Sequence, residues 1–148
     1  MRFTMVLAGT ALASAAALMA PAAPASAETV HYAAVILPAS EVPPVTNSKA
    51  TGRLSATYDT ATRALSYDVT YADLTGPAAA AHFHGPAPVG KNAGVMVPIT
   101  GDLASPIKGT VTLTEAQAKA LTDGDVYFNV HTAANKGGEM RGQVMKGE

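Results

Sequence analysis

The chain has 148 residues, 48% of them hydrophobic, with no cysteine, no tryptophan and a formal net charge of −1 when the histidines are neutral. That balance offers no basic face for nucleic acid or for an anionic membrane surface, and neither is expected as a partner. Without cysteine no disulfide can brace the fold, so packing or a bound ion must hold it.

The first 27 residues read as an export signal. Arg2 supplies the positive start, Val6 to Met19 is an Ala/Leu-rich apolar stretch, and Ala25-Ser26-Ala27 is a small-residue cleavage site. The apolar run is short and is followed by Pro21 and Pro24, so no stable membrane anchor is expected. A twin-arginine pair and a lipid-carrying cysteine are both missing. Cleavage after Ala27 predicts a secreted or periplasmic protein with one domain over residues 28–148, long enough for a single core. Loss of Arg2 leaves that domain at a charge of about −2.

Period-two patterns dominate the rest. In "ATGRLSATYD", Leu54, Ala56 and Tyr58 fall on one side and Arg53, Ser55 and Thr57 on the other. After the turn "DTATR", Leu65, Tyr67, Val69 and Tyr71 alternate with Ser66, Asp68 and Thr70. Alternate side chains of a strand share a face, so the two segments predict a half-buried hairpin. Further strands are expected over Val30–Leu37, Ala79–His84, Val95–Ile99, Ile107–Leu113, Asp125–His131 and Glu139–Met145. Seven or eight short strands separated by turn signals predict an all-β antiparallel sandwich, immunoglobulin-like or superoxide-dismutase-like. One short helix interrupts them. Thr114 and Gln117 make a capping box, "EAQAKAL" is rich in helix formers, and Asp123-Gly124 stops it. Pro43-Pro44 excludes "ASEVPPVTN" from a central strand and suits a segment that covers a sheet edge or crosses between sheets. Pro98 marks a short edge strand.

The polar residues concentrate in three strands. His82 and His84 lie on the face opposite Ala81 and Phe83. In "DVYFNVHT", Val126, Phe128 and Val130 face the core, while Asp125, Tyr127, Asn129 and His131 face away. Alternate residues are roughly 6.7 Å apart along a strand, close enough for imidazoles to converge on one ion. If the two strands are neighbours, His82, His84 and His131 form a metal site suited to copper or zinc. The simpler reading is a hydrogen-bonded network in which His82 or His84 pins the loop "GPAPVGKNAG" and Tyr127 and Asn129 extend it, because buried polar groups need partners. His31, in phase with Ala33, Val35 and Leu37, is expected at the surface.

"NKGGEMRGQVM" carries the other cluster. Glu139, Arg141 and Gln143 alternate with Met140, Gly142 and Val144, which puts Glu139 and Arg141 on one strand face. They predict either an ion pair along or across strands, or an arginine reaching a carboxylate or ligand bidentately. Gly137-Gly138 supplies backbone freedom for the preceding turn and lacks the setting of a phosphate loop. No G-x-S-x-G elbow or usable carboxylate pair is present, and no catalytic residue is assigned.

Taken in order, "EVPPV", "ATGRLSATYD", "AHFHGPAPVGKNAGVMVPI", "LTEAQAKALTDGDVYFNVHT" and "GGEMRGQV" resemble the chordin-type (CHRD) domain, over nearly the whole of Val30 to Met145. Lys136 departs from the proline that members often have before the Gly-Gly turn. The resemblance implies an extracytoplasmic all-β domain with His82, His84, Asn129, His131, Glu139 and Arg141 as its polar signature. It brings no established catalytic residue. The cysteine-rich modules through which chordins bind growth factors are missing, so that activity does not transfer. A remoter similarity to copper-zinc superoxide dismutase, another sandwich with an H-x-H strand, falls short because four histidines cannot supply that enzyme's ligand set.

These readings converge on a non-catalytic binding or structural module with an unidentified extracytoplasmic ligand or protein partner. The alternative is a copper- or zinc-binding protein, with redox activity open to the copper form. Association through exposed edge strands is a third.

Overall fold

The computed structural model describes residues 27–147, and the expected export signal lies outside them except for its last residue. Nine strands and one α-helix follow in order: β1 (Thr29–Ile36), β2 (Thr51–Asp59), β3 (Ala64–Ala72), β4 (Ala78–His84), β5 (Val95–Pro98), β6 (Ile107–Thr112), α1 (Glu115–Asp123), β7 (Tyr127–Thr132), β8 (Met140–Gln143) and β9 (Met145–Lys146). They form two antiparallel sheets, ordered β6-β3-β2-β1-β9 and β5-β4-β7-β8. This is the expected all-β sandwich.

The core follows the alternation. Val30, Tyr32, Ala34 and Ile36 of β1 are buried beside Leu54, Ala56 and Tyr58 of β2 and Leu65 and Val69 of β3. Ala81, Phe83, Phe128, Val130 and Met140 supply the other sheet's inner face. Tyr67 meets Phe83 edge to face across the gap at 5.3 Å between centroids, and Phe83 meets Phe128 edge to face within its own sheet at 5.0 Å, a geometry that adds to their area burial. At β8 the sheets come so close that a Cβ on Gly142 would overlap the Val35 carbonyl oxygen, so only glycine fits.

The capping box is formed: Thr114 Oγ1 accepts from the Gln117 N–H at 3.2 Å, and Gln117 Oε1 accepts from the Thr114 N–H at 2.9 Å. Such a cap contributes about 1 kcal/mol. Gly124 ends the helix in the left-handed region at φ 80°.

The last strand differs from the expectation of one run over Glu139–Met145. Val144 is fully buried and its N–H bonds to the Val126 carbonyl, after which the chain leaves its sheet. Met145 and Lys146 then pair with Ala33 and Tyr32 of β1 in the other sheet. One stretch thus serves both sheets, which accounts for the ninth strand. The proline-rich segment does not cross between sheets. It joins the adjacent strands β1 and β2 and lies against β8, where Leu37 and Arg141 exchange backbone hydrogen bonds.

Candidate metal centre

Strands β4 and β7 are neighbours, in a register that sets His82 opposite Asn129, His84 opposite Tyr127 and Ala80 opposite His131. Phe83 and Phe128 turn into the core, so the histidines, Tyr127 and Asn129 share the opposite face. That face is not open to water. His84 is only 7% exposed and Asn129 1%, because residues 85–94 fold over them. His82 and His131 remain partly exposed. His31 is exposed on β1, away from the group.

The backbone sets the proton positions. His84 Nδ1 and the Ala93 carbonyl oxygen are 3.0 Å apart, as are His131 Nδ1 and the Lys136 carbonyl oxygen. A carbonyl only accepts, so each neutral ring carries its hydrogen on Nδ1 and leaves Nε2 bare. Both Nε2 atoms lie 3.0 Å from Asn129 Oδ1, and His82 Nδ1 lies 3.0 Å from His131 Nε2. One ring nitrogen from each histidine falls within 4.8 Å of the others. Burial, then the neighbouring His131 and His84, hold the His82 pKa below its ordinary 6.5. Burial does the same to His84, outweighing the opposing influence of the Ala93 carbonyl and the Asn129 carboxamide. Neutral imidazole is the ligating form, and a carbonyl behind the ring, as His84 and His131 have, is the usual outer support of a metal-bound histidine. Zinc bonds of about 2.0–2.1 Å separate two ligands by roughly 3.3 Å. The present spacing brackets that value, within the swing of the half-exposed His82 ring. Three imidazoles fit copper or zinc.

Tyr127 forms the wall behind His84. Its ring stacks parallel to the imidazole at 4.8 Å, and its hydroxyl lies 3.2 Å from the Ala93 carbonyl oxygen. The Arg141 guanidinium lies 4.0 Å from the centre of the same ring, a cation–π contact.

Glu139 and Arg141 do not pair with each other, as their shared strand phase had suggested. Glu139 precedes β8 and is fully buried. Its carboxylate accepts from the Ser48 hydroxyl at 2.6 Å, the Thr75 N–H at 2.8 Å, the Thr75 and Thr132 hydroxyls at 2.6 and 2.5 Å, and the Asn135 amide at 3.1 Å. Burial alone would raise its pKa. The hydrogen bonds from Ser48, Thr132 and Thr75 prevail and hold it at about 2. Arg141 instead reaches Glu41 of the proline-rich segment. Its Nε and Nη2 both donate to Glu41 Oε2, at 2.9 and 2.8 Å, so the contact is two nitrogens on one oxygen rather than a fork on a fork. Nη1 donates to the Lys91 carbonyl at 3.1 Å and Nη2 to Asn92 Oδ1 at 2.7 Å. Arg141 thereby ties the covering loop to β8.

Sequence reasoning missed Glu41 as a site residue. Its only signal was its place in "EVPPV", a lone carboxylate before two prolines. The Ala93 and Lys136 carbonyls have no side-chain signal at all.

The molecule is therefore a two-sheet antiparallel sandwich with three histidines and a carboxamide gathered under a loop on one sheet. Residues 32–144 match the CHRD domain model, and the chain belongs to the CHRD domain family. No curated protein and no solved structure matches it. Among the described residues no helix is long and apolar enough to cross a membrane.

Proposed function

We propose that this chain is an exported single-domain CHRD protein that acts as a non-catalytic binding module, with a copper or zinc ion held by His82, His84 and His131 as its ligand. One observation carries the reading: His84 and His131 are locked by backbone carbonyls into the tautomer that presents bare Nε2 atoms to one place, where His82 also arrives. The ion would tie β4 to β7 beneath residues 85–94, in a domain with no disulfide to do so. A copper form is open to one-electron chemistry.

Elemental analysis of protein purified without an affinity tag, followed by calorimetric titration with Cu²⁺ and Zn²⁺, tests the reading. One ion per chain is expected, with binding lost in the triple alanine variant at His82, His84 and His131. Absence of binding near neutral pH, or binding that survives the triple substitution, would leave the histidines as a hydrogen-bonded scaffold for the loop. Protons compete for the same nitrogens. Because His82 and His84 are held below the ordinary value of 6.5, affinity should persist down to that pH and fall steeply beneath it.

Export after Ala27 predicts Glu28 as the first residue of protein recovered from outside the cytoplasm. Amino-terminal sequencing reads this directly, and a chain still carrying residues 1–27 there would refute it.

A further inference from the structure

We infer that Asn129 is a fourth ligand of this site, its carboxamide oxygen turned toward the ion by the buried carboxylate of Glu41. The inference rests on the metal reading above and adds a donor and an orienting residue to it.

Asn129 Oδ1 lies 3.0 Å from His84 Nε2 and 3.0 Å from His131 Nε2. Both nitrogens bear lone pairs, since their rings donate through Nδ1 to the carbonyls of Ala93 and Lys136. An oxygen facing two lone pairs is repelled by both. Turning the amide over would satisfy them, because its two N–H groups match two acceptors.

The other end of the amide opposes that turn. Asn129 Nδ2 and Glu41 Oε1 face the same small space above Gly138, where a Cβ would overlap Glu41 Oε1 and lie 3.0 Å from Asn129 Nδ2. Glycine, at φ 126°, is what keeps the space open. Glu41 is only 3% exposed, and its Oε1 has no hydrogen-bond partner among the described residues, both arginine bonds going to Oε2. An amide turned over would bring its oxygen into the same desolvated space as this anionic oxygen, at an electrostatic cost.

Each orientation of Asn129 therefore clashes electrostatically, once with two imidazoles and once with a carboxylate. A cation between Oδ1 and the three rings removes the clash. The lone pairs of three imidazoles and one carboxamide then converge on it, and the amide N–H groups stay toward Glu41. Three neutral nitrogens and one neutral oxygen leave the ion its full positive charge, since the negative charge of Glu41 is already matched by Arg141. The oxygen donor favours a divalent ion, Zn²⁺ or Cu²⁺, over soft Cu⁺. Arg141 keeps Glu41 in position and acts on the site through it.

The test compares wild type with Asn129→Leu, Glu41→Gln and His84→Ala, by calorimetric titration with Zn²⁺ and by the visible spectrum of the Co²⁺-loaded protein. Asn129→Leu removes the donor at similar volume. Glu41→Gln still lets Arg141 find an oxygen, while its new amide can donate to Asn129 Oδ1, so Asn129 turns over and presents nitrogen to the ion. Both variants are expected to bind Zn²⁺ about tenfold or more weakly, and Asn129→Leu should alter the Co²⁺ spectrum. In wild type, the side-chain amide resonance of Asn129 should shift on Zn²⁺ addition, a readout that needs no variant to fold. Affinities within about twofold of wild type, an unchanged spectrum and an unmoved Asn129 resonance, with His84→Ala still losing the metal, would overturn the inference and leave the three-histidine site standing. Wild type that binds neither Zn²⁺ nor Cu²⁺ would sink both.

Discussion

Glu139→Ala is expected to lower the free energy of unfolding by about 3–5 kcal/mol at neutral pH, the cost of leaving several buried donors unsatisfied and a large share of the total stability of a domain this size. The carboxylate accepts from Ser48 in the β1–β2 connection, Thr75 in the β3–β4 connection, Thr132 at the end of β7 and Asn135 in the turn before β8. Alanine would strand those donors in a place water reaches poorly and would release three connections at once. The effect should depend on pH with a definite sign. The folded pKa, about 2, lies below the ordinary 4.5, so the contribution is fully present above pH 4.5 and is lost as the pH falls toward 2. Chemical denaturation of wild type and variant at pH 7, 4.5 and 2.5 gives the difference curve. The gap should be widest at pH 7 and shrink through the acid range. A gap under about 1 kcal/mol at pH 7, or one that does not change with pH, would show that Glu139 does not brace these loops.

Arg141→Met is expected to cost a similar amount, about 3–5 kcal/mol, for a different reason. Methionine matches the length of the arginine stem and can pack against Tyr127. It leaves Glu41, 3% exposed, as a buried carboxylate without a counter-charge. The damage is thus mainly the stranded partner rather than the lost pair. Removing the charge at both ends, in the double variant Glu41→Gln/Arg141→Met, should recover much of it, giving a coupling of roughly 2 kcal/mol in a double-mutant cycle. The loop held through the Lys91 carbonyl and Asn92 should also open more readily in Arg141→Met, read as faster amide hydrogen exchange across residues 91–94. Strictly additive losses, or unchanged exchange in the loop, would rule out this account of the pair.

Residue pairs like these separate what was readable in the chain from what was not. The alternation of "ATGRLSATYD" and "ALSYDVTYADL" gave the hairpin because strand parity is a local property of the backbone. The same parity put Phe83 and Phe128 inside and His82, His84, Asn129 and His131 on the other face. The capping box and Gly124 marked the helix because caps are satisfied within one turn. Nothing local announced that Glu41 and Arg141, 100 residues apart in sequence, would meet. Nor did the phase shared by Glu139 and Arg141 tell that one would serve three connections and the other the covering loop, since Glu139 lies just before its strand begins.

From its own sequence this protein has its strand periods, its helix ends, its sandwich architecture and the face on which each histidine stands. These follow from backbone geometry and from apolar side chains spaced to be buried together. Only the tertiary structure decided that β4 and β7 are neighbours, that residues 85–94 close over their polar face, and that the chain changes sheets at Val144. The tautomers of His84 and His131 and the setting of Asn129 belong to the same class. They depend on two backbone carbonyls and a distant carboxylate, groups brought close by the fold and unmarked by any spacing along the chain.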